Sequence, residues 1–426
     1  MRNRRNVRTN KNKELLANKK FMMTIEILII IIILSTGIIA FRKYQDNLLL
    51  AKQKEELTKQ TEEIYTDIAN LTSQDNGMEE SKTIKISAVG DILCGTDMLA
   101  DANDGSNNYD FHHMFANITQ YTKNSDLSLG TFETNIVDSD YSGITKYNSP
   151  ESFLQAIKET GISLVSLAHN HALDYGKSGL DATVKAINAQ GMSITGIQNN
   201  SENENKEFTG IIKDVKGIKV AVLSYTYGLS NPELISEEEK NYANIYSKEK
   251  SEKDLEYAKS NSNYIIVIMH WGEVNDTNIS EWQENVTNEL IENGADMILG
   301  SHPSVIEPMK IIKNKDGKNI LVAYSLGNYI SSFKYENSDV ELILNMEIIK
   351  KSDEEKAILK KVDYTPIYVL DNEKNDDDRF ELCNMKGLAL DYTNGNSKNI
   401  SRKTYNKLIN KLEWLDGIVN RRENWK

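Results

Sequence analysis

"LVSLAHNHALDYG", Leu164 to Gly176, decides how this chain is read. A short, mainly apolar run, Leu164 to Ala168, passes without a turn signal into His169-Asn170-His171, and Asp174 and Gly176 follow at once. A run of this length and character fits a buried strand. Ending such a strand in imidazole and amide groups costs free energy unless those groups are bonded or coordinated. The chain has only 6 histidines in 426 residues. Two of them here, split by an asparagine, point to a site at the strand end.

Working outward, similar runs recur: "IKISAVGD", "DLSLGTFE", "KVAVLSYTY", "NYIIVIMHWG", "DMILGSHP" and "ILVAYSLGN". Between several of them lie helical segments, Ser149 to Gly161, Ser178 to Gly191 and Ser280 to Gly294, each with a serine start and a glycine stop. This alternation predicts an α/β fold with buried, partly parallel strands, and "VELILNMEII" reads as an antiparallel addition. Functional groups in open α/β sheets gather just past the carboxyl ends of the strands. Those ends carry Asp91, Glu133, Asn170-His171, His270 and His302, besides Gly327-Asn328. Carboxylate oxygen and imidazole nitrogen, without thiolate, suit a divalent ion such as Mn²⁺, Fe²⁺ or Zn²⁺. Two such ions about 3.5–4 Å apart can share a carboxylate and clamp a phosphoryl group. His112 and His113, and the two cysteines Cys94 and Cys383, read as structural residues, the thiols unpaired and buried.

The formal charge of −13 hides an asymmetry. Residues 1–43 carry ten Lys/Arg against two acids, a net of +8, which leaves −21 for the rest and excludes nucleic acid as the main body's partner. "FMMTIEILIIIIILSTGIIAF", Phe21 to Phe41, holds one charge, Glu26, in 21 residues. As a helix it is about 30 Å long, enough to cross a bilayer core. Eight Lys/Arg precede it, so the positive-inside rule puts the N-terminus in the cytoplasm and the main domain outside. A cleaved signal peptide is the alternative, but the apolar run exceeds the usual length and no small-x-small cleavage site follows. The expected order is a cytoplasmic basic tail (1–20), a single transmembrane helix (21–41), a helical stalk and linker (42–82), an α/β domain (83–350) and a C-terminal extension with an amphipathic helix (351–426).

The motifs "AVGDILCG", "GTFETNI", "AHNHALDYG", "HWGEV", "GSHPSVIEP" and "YSLGNYI" occur in the order and spacing of the CapA family, the poly-γ-glutamate capsule synthesis proteins, which the chain resembles from residue 83 to about 335. The resemblance implies a calcineurin-like metallophosphatase type of fold, a four-layer αββα sandwich. It implies that Asp91, Glu133, Asn170, His270 and His302 hold one or two divalent ions and that His171 faces the substrate. Asp174 suits a hydrogen bond orienting His171, because a catalytic imidazole needs a partner that fixes its tautomer. His169 takes a support role. Two positions depart from the family pattern: Ser304 stands where a histidine is usual and Thr131 where an asparagine is. Ser304 either weakens one ion position or is compensated by a neighbour such as Glu307. The position built from Glu133, Asn170, His270 and His302 is complete.

Two functions follow as expectations. One is a metal-dependent hydrolase of phosphoesters or of γ-linked amides. The other is an anchored accessory protein of capsule-polymer biosynthesis or export, whose partners are the membrane, polymer-synthase membrane subunits, and an anionic polymer or its precursor. The acidic main body makes direct binding of a polyanion awkward unless cations bridge the two. A metal-free α/β binding module is a third reading, opposed by ligand-type residues at five strand ends.

Overall fold

The structure, a computed structural model, describes residues 81–419 except 107, 199–204, 206, 353, 373–378 and 396–399. The expected basic tail and membrane anchor, and nearly all of the expected stalk and linker, lie outside the described residues. Ser81 and Lys82, expected as the end of the linker, already belong to the first strand. Among the described residues no helix is long and apolar enough to cross a membrane.

The strands are β1 (Ser81–Ile92), β2 (Leu127–Phe132), the hairpin β3 (Ser142–Ile144) and β4 (Lys146–Asn148), β5 (Leu164–Ser166), β6 (Ser193–Thr195), β7 (Ile211–Val215) and β8 (Ile218–Thr226). After them come β9 (Tyr264–His270), β10 (Met297–Ser301), β11 (Met309–Lys313), β12 (Asn319–Ala323), β13 (Asn328–Ile330), β14 (Val340–Lys351), β15 (Ile358–Asp371) and β16 (Phe380–Asn384). The longer helices are α1 (Glu151–Glu159), α2 (Gly176–Ala189), α3 (Lys248–Asn261), α4 (Glu281–Glu292), α5 (Met385–Thr393) and α6 (Arg402–Val419). The fold is mixed α/β and rich in sheet.

One sheet runs β16-β15-β14-β1-β2-β5-β6, with β13 also paired to β1; the other runs β11-β12-β10-β9-β8-β7. Within the first, β1, β2, β5 and β6 are parallel and β14 joins β1 antiparallel. The parallel strands point their carboxyl ends to one edge, as the strand–helix alternation requires. Two strands past residue 350 belong to this sheet: β15 and β16 extend it at one side.

Period-two alternation assigns each face. On β2, β5 and β1, Phe132, Val165 and Val89 pack with Phe153 and Leu154 of α1 and with Leu180 and Ile187 of α2. On β8 and β9, Leu223, Ile265 and Val267 pack with Leu255 of α3 and Leu290 of α4. The helices therefore cover the outer faces, and the remaining faces meet each other. Hydrogen bonds span that inner layer, from Ser166 Oγ to Ser224 Oγ (2.5 Å) and from Thr195 Oγ1 to the Val222 carbonyl (2.7 Å).

Local signals explain the helix starts. Ser280 forms a capping box with Gln283 at the head of α4. The helix expected from Ser178 starts earlier, at Gly176, whose φ of +62° turns the chain out of the loop after β5. α6 buries Tyr405, Leu408, Leu412 and Leu415 on one stripe, and Lys407 and Lys411 on the same helix pair with Asp339. Cys94 and Cys383 are both free and buried.

Candidate metal centre

His270 closes β9 on the inner face, and Ile266 and Ile268 precede it at alternate positions; all three are buried. Its Nε2 lies 2.9 Å from Asn170 Oδ1 and 3.6 Å from Glu133 Oε1. His302 follows β10, with its ring centre 4.7 Å from that of His270. Donor atoms of Glu133, His270 and His302 all lie within 4.8 Å of one another. Glu133 and Asn170 come from the first sheet, and the two histidines from the second.

The loop after β5 is a succession of tight turns, with Ala172 N–H donating to the His169 carbonyl and Asp174 N–H to the His171 carbonyl. These turns send successive side chains in different directions, which answers why "HNH" sits at a strand end. Asn170 reaches the cluster. Its Nδ2 donates to Ser230 Oγ at 2.8 Å, so Oδ1 is the atom that faces His270. His171 Nδ1 lies 2.9 Å from Asp174 Oδ2, which also accepts the Tyr147 N–H at 3.1 Å. The Tyr147 ring meets the His171 ring edge-on at 4.5 Å. His169 is buried beside His270, with Nδ1 unpartnered and ring centres 6.2 Å apart.

Asp91 reaches the inner face through a bulge. Val89 and Ile92 both pack in the outer core, and the register with β2 shifts between Ala88 and Asp91. Gly90 fits there because a Cβ would lie 1.8 Å from the Gly327 carbonyl oxygen. Asp91 Oδ2 accepts the His302 N–H at 2.7 Å and holds that residue at φ +104°. Asp91 Oδ1 lies 3.3 Å from His270 Nδ1 but makes no hydrogen bond. Asp91 therefore stands on the far side of the His270 ring from Asn170 and Glu133.

Burial sets the electrostatics. It pushes the Glu133 carboxyl well above its usual range, reinforced by Asp91 and Asp174. It pushes Asp91 up to about 6, against the pull of Ser301 and His302. The same loss of water drives His270 far down and His302 to about 3, leaving neutral imidazoles with lone pairs to give. Buried acids facing neutral imidazoles fit a bound cation, which would restore charge to the carboxylates. The pair nearest each other stands at hydrogen-bond distance, close to the separation of about 3 Å that two donors have at right angles on an octahedral ion. His270 Nε2 and Asn170 Oδ1 stand 2.9 Å apart.

Ser304 is buried at φ +60°, and its Oγ donates to the His302 carbonyl at 3.5 Å. Glu307 is not part of the Glu133, His270 and His302 group. Its Oε2 accepts from Gln283 Nε2 of α4 at 2.8 Å, and burial raises its carboxyl to about 8. Thr131 Oγ1 accepts from Ser301 Oγ at 3.3 Å, an inner-layer bond rather than a ligand contact. His112 and His113 pair with Asp110 and Asp101.

No sequence motif marked Ser230, Tyr147 or Tyr227. Tyr227 is 43% exposed, and its ring lies 4.8 Å from that of His302. Tyr225 and Tyr329 are buried. The one local signal for Ser230 is the Asn231-Pro232 turn that follows it.

Residues 85–332 match the family described as "Bacterial capsule synthesis protein PGA_cap". The chain is 29% identical over 266 residues to the capsule biosynthesis protein CapA of Bacillus anthracis, covering 59% of this chain and 60% of that protein. It is 23% identical over 257 residues to the PGA biosynthesis protein CapA of Bacillus subtilis (strain 168), covering 58% of this chain and 63% of that one. The match thus spans less than two thirds of either relative. Among solved structures there is a loose likeness to Haemophilus influenzae NAD nucleotidase (NadN), with TM-score 0.43, 12% identity, and coverage of 79% of this chain and 60% of that chain. Another is to the calcineurin-like phosphoesterase YfkN from Bacillus subtilis, with TM-score 0.38, 12% identity, and coverage of 79% and 98%. On the family match, which covers more than half of its length, the chain belongs to the PGA_cap family of bacterial capsule synthesis proteins, to which it is tied by the strand-end motifs that build this centre.

Proposed function

We propose that the chain is a membrane-anchored, extracytoplasmic protein of poly-γ-glutamate capsule or related envelope-polymer biosynthesis, with a metallophosphatase-type layered domain that binds a divalent ion. One observation carries the ion reading: Glu133, His270 and His302 converge within 4.8 Å, with Asn170 Oδ1 at 2.9 Å from His270. Mn²⁺, Fe²⁺ and Zn²⁺ all suit this oxygen–nitrogen set. With Ser304 turned to a backbone carbonyl and Glu307 held by Gln283, the residues favour a single ion over a pair.

The dyad of His171 and Asp174 beside the cluster favours a second reading, hydrolysis of a phosphoester or γ-linked amide at the cell surface. A bound ion would supply polarisation of the substrate oxygen and a more acidic water. Asp174 holds the His171 ring, and His171 moves a proton at Nε2. Tyr147 and Tyr227 border the imidazoles. The anchor expected over 21–41 would keep this site at the membrane, near synthase subunits and the emerging anionic polymer; with an acidic body, the ion is the natural bridge to such a chain.

Elemental analysis of the purified full-length chain beside His302→Ala tests this. One ion per chain, lost in the variant, is the expected result. A chain that takes up no divalent ion would overturn the ion reading and leave only the accessory role.

A further inference from the structure

Ser230 is absent from every motif that identified the site, yet it touches both of the site's working parts. It lies just past β8, before Asn231, whose φ of +51° bends the chain into the Pro232–Leu234 turn. Its N–H donates to the Asn170 carbonyl at 2.8 Å. Its Oγ accepts from Asn170 Nδ2 at 2.8 Å, so the two residues are latched at two points. The same Oγ lies 3.5 Å from His171 Nε2.

The hydrogen bookkeeping of this chain is constrained. An amide NH₂ only donates, so Ser230 Oγ must accept from Asn170 and keeps its own hydrogen to give. Asp174 Oδ2, the oxygen that faces His171, already accepts the Tyr147 N–H and so carries no hydrogen of its own, which leaves His171 Nδ1 to supply the hydrogen between them. In the neutral imidazole Nε2 is then a lone pair, and the Ser230 hydroxyl is the donor that points at it. The order of donation runs from the Asn170 amide through Ser230 to His171, and from His171 to Asp174.

We propose that Ser230 is a positioning residue that couples the two halves of the centre: it turns Asn170 Oδ1 toward the ion cluster and stabilises the tautomer of His171 with Nε2 unprotonated. This rests on the ion reading for its first half and not for its second. Without the hydroxyl, Asn170 loses the partner that distinguishes its oxygen from its nitrogen, and the amide can rotate its NH₂ toward His270. A partner of this kind behind a ligand is worth about 10–100-fold in metal affinity. The tautomer matters for chemistry, because a lone pair at Nε2 equips His171 to accept a proton from the attacking group before it donates one.

The test uses the full-length chain, labelled with ¹⁵N-histidine, as wild type, Ser230→Ala and Ser230→Thr. Mn²⁺ affinity is read by calorimetry and the tautomer of His171 from its ring ¹⁵N shifts, assigned with His171→Gln. Expected are an affinity about 10–100-fold lower in Ser230→Ala, recovery in Ser230→Thr, and a His171 signal with Nδ1 protonated that shifts in the alanine variant alone. Equal affinity and an unchanged His171 signal in all three would overturn the proposal, as would a wild-type His171 protonated at Nε2. If the wild type binds no Mn²⁺, the ion reading falls, and the ¹⁵N signal still decides whether Ser230 sets the tautomer. A thermal melt of each variant shows that a loss is not unfolding.

Discussion

Asp91 illustrates how one residue can be found in the sequence while its place is not. It was legible as an acid at a strand end, and it does reach the inner face. Only the bulge at Gly90 shows that it comes up behind His270, with one oxygen on the His302 N–H, and not among the donors of Glu133, His270 and His302. Asp91→Asn is therefore expected to weaken Mn²⁺ binding about 10-fold, as loss of an outer partner does, and His302→Ala to weaken it much further. Calorimetry on the full-length proteins ranks the two; equal losses would place Asp91 among the ligands. His270 and His302 were legible because each stands at the end of a continuous apolar run that reads as a buried strand. Ser230 was not, since a loop serine carries no period and its partner lies 60 residues away in sequence.

At the scale of elements, the strand and helix alternation foretold the sheets, and the serine before α4 foretold its start. Helix starts without such a cap were less well placed, as α2 shows. Nothing local marks β15 and β16 as part of the main sheet, because an antiparallel edge is recognised by its pairing partner rather than by its own composition. The close approach of the β1 bulge to the loop before β13 gives a sharp expectation. Gly90→Ala must push the Gly327 carbonyl away and should cost about 3 kcal/mol, read as a lowered urea midpoint. Ser280→Ala, which removes the capping box, should cost about 1 kcal/mol in the same assay.

Across the whole molecule, Glu307 makes stability depend on pH. Its folded value, raised by burial from 4.5 to about 8, lies above the unfolded one. Its contribution is therefore complete below pH 4.5 and is lost as pH rises through 8. Glu307→Gln should flatten that decline, gaining a few kcal/mol at pH 9 at about 1.4 kcal/mol per pKa unit, and little at pH 4. Urea titrations at both values check the sign. Removal of residues 21–41 should release the protein from the membrane fraction of cells, which fractionation and blotting would show.

The centre takes Glu133 and Asn170 from one sheet and His270 and His302 from the other. An ion held there works like the rivet of a hinge, because prising the two halves apart requires giving it up. At a free concentration 100 times its dissociation constant it would add about 2.7 kcal/mol to the resistance of the domain against unfolding. The melting temperature of the protein thus becomes a gauge of the metal supply around it, and a starved molecule should be cut by proteases along this seam sooner than a replete one.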